Sequence, residues 1–168
     1  MSENKTMKHV TLCLPITETR VLLGLKKLRW GAGKWNGFGG KIKNKETPEE
    51  ATIRELREES GLYTHEDLLE KVAILKLYFN EKPEFLMHTY VTRMWVGEPK
   101  ESDEMLPQWH FLDAVPYHEM WKADSIWMQK VLNGEKVAAH IHFKIEGTPG
   151  EDEEIFDRIE YDESLWGN

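Results

Sequence analysis

The sequence predicts a single domain, residues 1–168, of the α/β (α+β) class, with helices packed against a mixed β-sheet. Three observations support this prediction. Short apolar runs that alternate with polar residues are typical of half-buried strands. Two other segments carry residues that favour helix termini. A glycine-dense segment, residues 31–41, excludes a helix and allows the backbone to approach a bound molecule closely.

Composition narrows the classes of function. A hydrophobic fraction of 40% is enough for one packed core in a chain of 168 residues. The net charge of −8 argues against a protein that binds duplex nucleic acid or an anionic membrane. No apolar window approaches the roughly 18 residues of a membrane helix, and the single cysteine, Cys13, has no internal partner. We therefore expect a cytoplasmic protein that acts as a monomer, away from membranes.

Seven apolar runs are predicted to form strands, and the first two are expected to pair as a hairpin. These runs are His9–Ile16, Arg20–Leu25, Val72–Phe79, His88–Val96, Gln108–Leu112, His140–Ile145 and Ile155–Tyr161. His140 and His142 share one face of a predicted strand, a spacing that can bind zinc. Without further ligands nearby in the sequence, we interpret them as a pair of surface histidines.

Two helices are predicted from their termini. Thr47, Pro48 and Glu50 form a capping box with proline at the first helical position, and Gly61 provides a stop after Ser60. The second helix is predicted from Asp124 to Asn133, where Asp124 is also a candidate N-cap residue.

The first helix carries a cluster of carboxylates. Glu55, Glu58 and Glu59 share one face at 3.6 residues per turn. Carboxylates are the ligands that Mg²⁺ and Mn²⁺ prefer, and these cations usually accompany substrate phosphates. The alternative interpretation is a solvated acidic helix with Arg54 and Arg57 as partners. The preceding glycine-dense segment favours the metal site, because its carbonyl groups suit a cation and its amides suit phosphates.

These motifs resemble a known family. Gly40, Glu46 and residues 54–62 (RELREESGL) match the Nudix box at every defined position. Segments 21–27, 31–41, 101–105, 119–121 and 124–127 further resemble the animal-type oxidised purine nucleoside triphosphatases, which are MutT homologues. The resemblance implies the Nudix α/β/α sandwich with a mixed β-sheet. It also implies that Mg²⁺, or Mn²⁺, supports hydrolysis of a nucleotide such as 8-oxo-dGTP to the monophosphate and pyrophosphate.

The same resemblance implies roles for individual residues. The catalytic residues would be Glu55, Glu58 and Glu59, with Glu59 preferred as general base and Glu58 as the alternative. The metal ligands would be Gly39, Glu55, Glu58, Glu59 and Glu104, and Arg54 and Glu46 would form a supporting pair. The substrate-binding residues would be Thr11, Lys26, Asn36, Phe38, Gly39, Gly40, Lys41, Trp121, Lys122, Ala123 and Asp124. Asn36 offers a donor and an acceptor to a purine, and Trp121 offers a ring for stacking.

The sequence departs from the family pattern beside Trp121. The animal-type enzymes carry two adjacent aspartates there, whose coupled protonation is thought to read the base, whereas this chain has Ala123 and Asp124. Without the second carboxylate, we expect Asp124 to be ionised near neutral pH and to act only as an acceptor. Trp30 stands where the family usually has phenylalanine at the pocket mouth.

Two other functions stay open at this point. The first keeps the same hydrolysis but acts on another substrate: a methylated nucleotide, a dinucleotide polyphosphate or an RNA cap. A nucleotide sensor without catalysis is the second alternative, which the complete set of box glutamates disfavours.

Overall fold

The computed structural model describes residues 6–29, 31–146 and 153–168. Within these ranges the chain forms nine strands and two α-helices, with short 3₁₀ turns between some of them. The strands are β1 (Lys8–Pro15), β2 (Arg20–Lys26), β3 (Trp35–Asn36), β4 (Phe38–Lys41), β5 (Leu69–Phe79), β6 (Lys82–Thr92), β7 (Met105–Phe111), β8 (Val137–Glu146) and β9 (Glu153–Tyr161), and the helices are α1 (Pro48–Ser60) and α2 (Asp124–Leu132).

The strands form two sheets. The larger sheet has the order β4-β1-β6-β5-β8-β9, and the smaller one has the order β3-β2-β7. In the larger sheet β1 pairs with β6, and β5 with β8, in parallel, while the other pairs are antiparallel. The predicted mixed sheet is therefore confirmed. None of the described helices is long and apolar enough to cross a membrane.

The predicted hairpin of the first two strands is wrong. Apart from an isolated bridge between Ile16 and Val21, β2 pairs with β3 and β7 in the smaller sheet. The reason is that β2 is buried on both faces: Val21 and Leu23 join one core cluster, and Leu22 joins another. A strand of this kind lies between two layers, and its partners come from distant parts of the chain.

The helices cover opposite faces of the larger sheet. Alternate residues of a strand point to opposite faces, and β1 shows the division. Leu12 and Leu14 pack in the cluster that contains α2, whereas Cys13 packs with Leu56 of α1. This arrangement gives the α/β/α layers that the sequence predicts. Burial raises the pKa of the Cys13 thiol, which is therefore a neutral core group.

The first helix begins and ends as predicted. The Thr47 hydroxyl accepts a hydrogen bond from the Glu50 amide at 3.1 Å, and the Glu50 carboxylate accepts one from the Thr47 amide at 3.0 Å. Gly61 follows the helix with φ of 79°, in the left-handed region that favours glycine. These local signals fix the position of the three glutamates along the helix.

Several strand boundaries differ from the prediction. The glycine-dense segment contains β3 and β4. The strands β5 and β6 are joined by a tight turn in which Asn80 and Glu81 have positive φ. The predicted strand His88–Val96 instead begins at Lys82 and ends at Thr92. Beyond that end, Met94 and Val96 are exposed, although the apolar alternation continues in the sequence.

Candidate active site

The deepest carboxylate of the helix is Glu59. Its side chain is buried, and its Oε1 accepts a hydrogen bond from the Gly39 amide at 2.7 Å. The pKa of Glu59 is raised to about 8, chiefly by burial and also by the charges of Glu55 and Glu104, against the Gly39 hydrogen bond and the charge of Lys26. Glu55, Glu59 and Glu104 therefore act on one another electrostatically, although Glu104 is distant in sequence.

Arg54 joins the carboxylates to the loop before the helix. Its Nε and Nη2 donate to the two oxygens of Glu46 at 2.6 and 3.0 Å, and its Nη1 donates to Glu55 Oε1 at 2.7 Å. The same Nη1 lies 3.5 Å from Glu58 Oε2. The structure thus confirms the pair Arg54–Glu46. Arg54 also donates to the carbonyl of Lys41 at 3.1 Å, which ties the end of β4 to α1.

Two glycines of β4 leave no room for a side chain. A Cβ at Gly39 would lie 1.8 Å from the carbonyl oxygen of Thr11, and a Cβ at Gly40 would lie 2.6 Å from Glu55 Oε1. Such distances are far below van der Waals contact. Glycine at position 39 therefore allows β4 to lie close to β1, and glycine at position 40 allows it to approach Glu55 of α1.

The chemistry of these donors fits a divalent cation. The charges of Glu55 and Glu104 oppose the ionisation of Glu59, and the three carboxyl groups supply the oxygen atoms that Mg²⁺ and Mn²⁺ prefer. Within the described ranges, no three His, Cys, Asp or Glu side chains are already arranged to hold a metal ion. Arg54 instead lies against Glu55 and Glu58, while Glu58 and Glu104 are 57% and 44% exposed and have space to reorient.

A cavity of about 180 Å³ lies on the opposite side of the larger sheet. Asn36, Trp121, Ala123 and Asp124 line it, so the structure brings together four of the predicted substrate-binding residues. Its other walls are apolar and were not singled out from the sequence: Val10, Leu77, Phe79, Phe85, Met87, Trp127, Ile141 and Phe143. Their sequence signals were the alternation of apolar residues in β1, β5, β6 and β8 and the apolar face of α2.

Asp124 differs from the prediction. It is buried, its Oδ1 accepts a hydrogen bond from the indole Nε1 of Trp127 at 2.9 Å, and its Oδ2 has no hydrogen-bond partner among the described residues. Burial raises the pKa of Asp124 to about 7, against the Trp127 hydrogen bond and the charge of Lys34. The expectation of a fully ionised acceptor is therefore wrong, because burial raises the pKa even without a second carboxylate.

The candidate N-cap role of Asp124 is also wrong. The N-cap of α2 is Ala123, which provides no side-chain hydrogen bond, and Asp124 is the first helical residue. The Asp124 carboxylate points into the cavity and reaches Trp127, one turn along the helix.

Some predicted substrate-binding residues lie elsewhere. The buried Thr11 side chain contacts the hydroxyl of Thr52 in α1, so it faces away from the cavity. Phe38 is fully buried in the core cluster beside α1. Lys26 is placed near the carboxylates, where its charge lowers the pKa of Glu59.

The remaining predicted contacts lie at the surface or outside the described ranges. Lys41 and Lys122 are exposed, and the structure places neither of them in the cavity lining. Gly40 contacts the carboxylate side rather than the cavity. Trp30 lies outside the described residues.

The two histidines of β8 are not a surface pair. His142 is buried and stacks on the ring of Tyr78 with centroids 4.4 Å apart. His140 lies between the Tyr78 hydroxyl and Asp162 Oδ2, each 2.8 Å from a ring nitrogen. Neighbouring strands therefore cover both rings, which sequence spacing alone does not show.

Comparison with known proteins decides the family. The model of the NUDIX domain matches residues 7–132, a range that includes every predicted catalytic, metal and substrate residue. The chain belongs to the NUDIX domain family. The predicted resemblance to Nudix hydrolases is thereby confirmed.

Two curated relatives of this Nudix protein are described as "oxidized purine nucleoside triphosphate hydrolase". That of Danio rerio is 44% identical over 83% of this chain and 88% of the relative. That of Mus musculus is 42% identical over 85% of this chain and 91% of the relative. Among solved structures, the MutT protein of Bacillus halodurans is 25% identical with a TM-score of 0.72, covering 92% of this chain and 98% of the other.

Proposed function

We propose that this Nudix protein hydrolyses an oxidised purine nucleoside triphosphate, such as 8-oxo-dGTP, to the monophosphate and pyrophosphate. The observation that carries the proposal is the path between the two halves of the site. Asn36 lines the cavity, and the amide of Gly39, three residues further on, donates a hydrogen bond to Glu59. Three extended residues span about 10 Å, a distance that suits a purine nucleoside at one end and its phosphates at the other.

The cavity offers complementary groups to a purine. The Asn36 Oδ1 already accepts the Gly37 amide at 2.8 Å, so its side-chain NH₂ group is the part that donates to a base. The Asp124 Oδ2 has no described partner and can accept or, when protonated, donate. The ring of Trp121 lines the same cavity and offers a stacking surface.

The carboxylate half suits phosphate chemistry with Mg²⁺, or Mn²⁺, held by Glu55, Glu58, Glu59, Glu104 and the Gly39 carbonyl. When bound, such a cation neutralises phosphate charge and makes water a better nucleophile. Glu59, whose raised pKa would keep it protonated at neutral pH, would be ionised when a cation is bound beside it. Glu59 then accepts the proton of the attacking water, with Glu58 as the alternative base.

The test is a panel of oxidised, methylated and unmodified purine triphosphates, a dinucleotide polyphosphate and a capped RNA, assayed with Mg²⁺ and with EDTA. We expect the highest kcat/KM for an oxidised purine triphosphate and pyrophosphate as the released product. A higher kcat/KM for the dinucleotide or the cap, or binding without turnover, refutes the proposal. Glu59→Gln provides the matched inactive control, since it retains the size of the side chain.

The organisation of the chain is part of the same proposal. We infer a single domain over residues 1–168, because β8 and β9 complete the larger sheet beyond the NUDIX match. A cytoplasmic monomer is consistent with the buried, unpaired Cys13. Light scattering after size-exclusion chromatography tests the monomer directly, and a mass near twice 19.7 kDa contradicts it.

A further inference from the structure

The ring of Trp121 is covered by the turn that precedes β3. A Cβ at Gly31 would lie 3.6 Å from Trp121 Cζ2, so the backbone of Gly31 is close to the indole. The Lys34 amide donates to the Gly31 carbonyl at 3.1 Å and closes this turn. The turn therefore places the side chain of Lys34 against the ring that lines the mouth of the cavity.

The Lys34 ammonium has two neighbours of functional interest. Its Nζ lies 4.8 Å from the centroid of the Trp121 ring, within the range of a cation–π interaction. Lys34 is half-buried, and it forms no ion pair with any carboxylate in the described part of the chain. Its charge lowers the pKa of Asp124.

The other surroundings of Asp124 are nearly without charge. The indole of Trp127 from α2 donates to its Oδ1, and Asn36 from β3 lines the same cavity. The walls that β1, β5, β6 and β8 contribute are apolar. Among the described residues, Lys34, which lies over the Trp121 ring of the cavity wall, is thus the cation whose charge acts on Asp124.

We propose that Lys34 is a positioning and specificity-determining residue for the purine, acting through the ring of Trp121 and the carboxyl group of Asp124. This role rests on the proposed function and extends it, because Lys34 is assigned to neither half of the site above. Lys34 fixes the stacking surface and favours the ionised form of Asp124, which accepts N–H groups of a base.

The test compares Lys34→Met, which keeps the apolar stem, with Lys34→Arg, which keeps a cation that binds aromatic faces. For Lys34→Met we expect KM for the best purine triphosphate to rise about threefold to tenfold, with kcat within about twofold. The pH profile of kcat/KM should have a midpoint that is due to Asp124 and is therefore absent from Asp124→Asn. In Lys34→Met this midpoint should move to higher pH. Lys34→Arg should restore KM to within about twofold.

Matched variants separate this role from a general charge effect. Lys136→Met removes an exposed lysine just before β8 and should change neither KM nor the midpoint. In the double variant Lys34→Met with Asp124→Asn, the midpoint due to Asp124 should be absent from the pH profile of kcat/KM. Three results would each overturn the proposal. The first is that KM and the midpoint are unchanged in Lys34→Met. The others are that KM rises equally in the Met and Arg variants, or that only kcat falls.

A binding measurement keeps the two proposals distinguishable. Calorimetric titration with the oxidised guanosine monophosphate, in EDTA, measures occupancy of the cavity without hydrolysis. If Lys34→Met weakens this binding about threefold to tenfold while no triphosphate is hydrolysed, the role of Lys34 stands and the proposed function fails. If triphosphate is hydrolysed but the binding is unaffected by Lys34→Met, the proposed function stands and the role of Lys34 fails.

Discussion

Replacing Asp124 by Asn should change how the stability of the metal-free protein depends on pH. Asn cannot ionise, yet its side-chain oxygen can still accept the hydrogen bond that the Trp127 indole donates at 2.9 Å. The substitution also places an NH₂ group at Oδ2, which has no described hydrogen-bond partner. This lowers the free energy of unfolding by the same amount at every pH. The difference between the two proteins as a function of pH therefore isolates the ionisation of Asp124.

The magnitude follows from the raised pKa. Asp124 titrates at about 7 in the folded protein and at about 3.9 in an unfolded chain. Between these values the folded state binds more protons, so its stability falls as pH rises, by up to about 1.4 kcal/mol per pH unit. From about pH 5 to pH 7 this amounts to about 2 kcal/mol in the free energy of unfolding, and the loss levels off above pH 7 at a total of about 3 kcal/mol.

The assay is urea denaturation of both proteins in EDTA at intervals from about pH 5 to about pH 8.5. We expect Asp124→Asn to gain stability relative to the unsubstituted protein as pH rises, by about 3 kcal/mol across this range. Glu59 is present in both proteins, so its own titration cancels in the difference. A difference that stays constant with pH refutes the argument, because Asp124 would then be ionised throughout.

Three further predictions concern other parts of the site. Glu59→Gln should lower kcat about 100-fold or more while the circular dichroism spectrum stays unchanged, because it removes a charge that binds metal or accepts a proton. Gly39→Ala should lower the free energy of unfolding by about 1–3 kcal/mol or more, since its Cβ would lie 1.8 Å from the Thr11 carbonyl oxygen. Ala123→Asp should raise kcat/KM for oxidised adenine nucleotides relative to oxidised guanine ones, because an adjacent carboxylate raises the pKa of Asp124 further.

Each of these outcomes has a control. Full activity of Glu59→Gln, or of the unsubstituted protein in EDTA, contradicts the catalytic assignment, and Glu58→Gln tests the alternative base. Gly167→Ala adds a Cβ with no atom within 4 Å, so an equal loss of stability there argues against the clash at Gly39. An unchanged ranking of purines in Ala123→Asp shows that this position does not influence the base.

The features predicted correctly depend on short-range signals. The capping box and Gly61 fix α1 within a few residues of sequence, and residues 54–60 of the Nudix box lie on that helix. The alternation in β1 also places Leu12 and Leu14 on one face, as the structure has them. The same alternation places Thr11 on the opposite face, a signal that would have excluded it from the cavity.

The features predicted wrongly depend on residues far apart in the chain. The partners of β2 come from β3 and β7, and no local pattern identifies them. The pKa of Asp124 depends on burial, and the apolar walls of its cavity come from strands that enclose it only in the folded protein. Burial of His142 against Tyr78 is likewise a property of the assembled sheet.

The separation of the two halves of the site bears on how such proteins diverge. In the proposed site, the three glutamates of α1 lie on one side of the larger sheet, whereas the proposed purine cavity is built mainly from β5, β6, β8 and the start of α2 on the other side. Among the described residues, the short segment from Asn36 to Gly39 connects the two, because Asn36 lines the cavity and the Gly39 amide bonds Glu59. Substitutions such as those at Leu77 or Met87 can therefore alter which base is accepted over evolutionary time while the reaction itself is inherited unchanged.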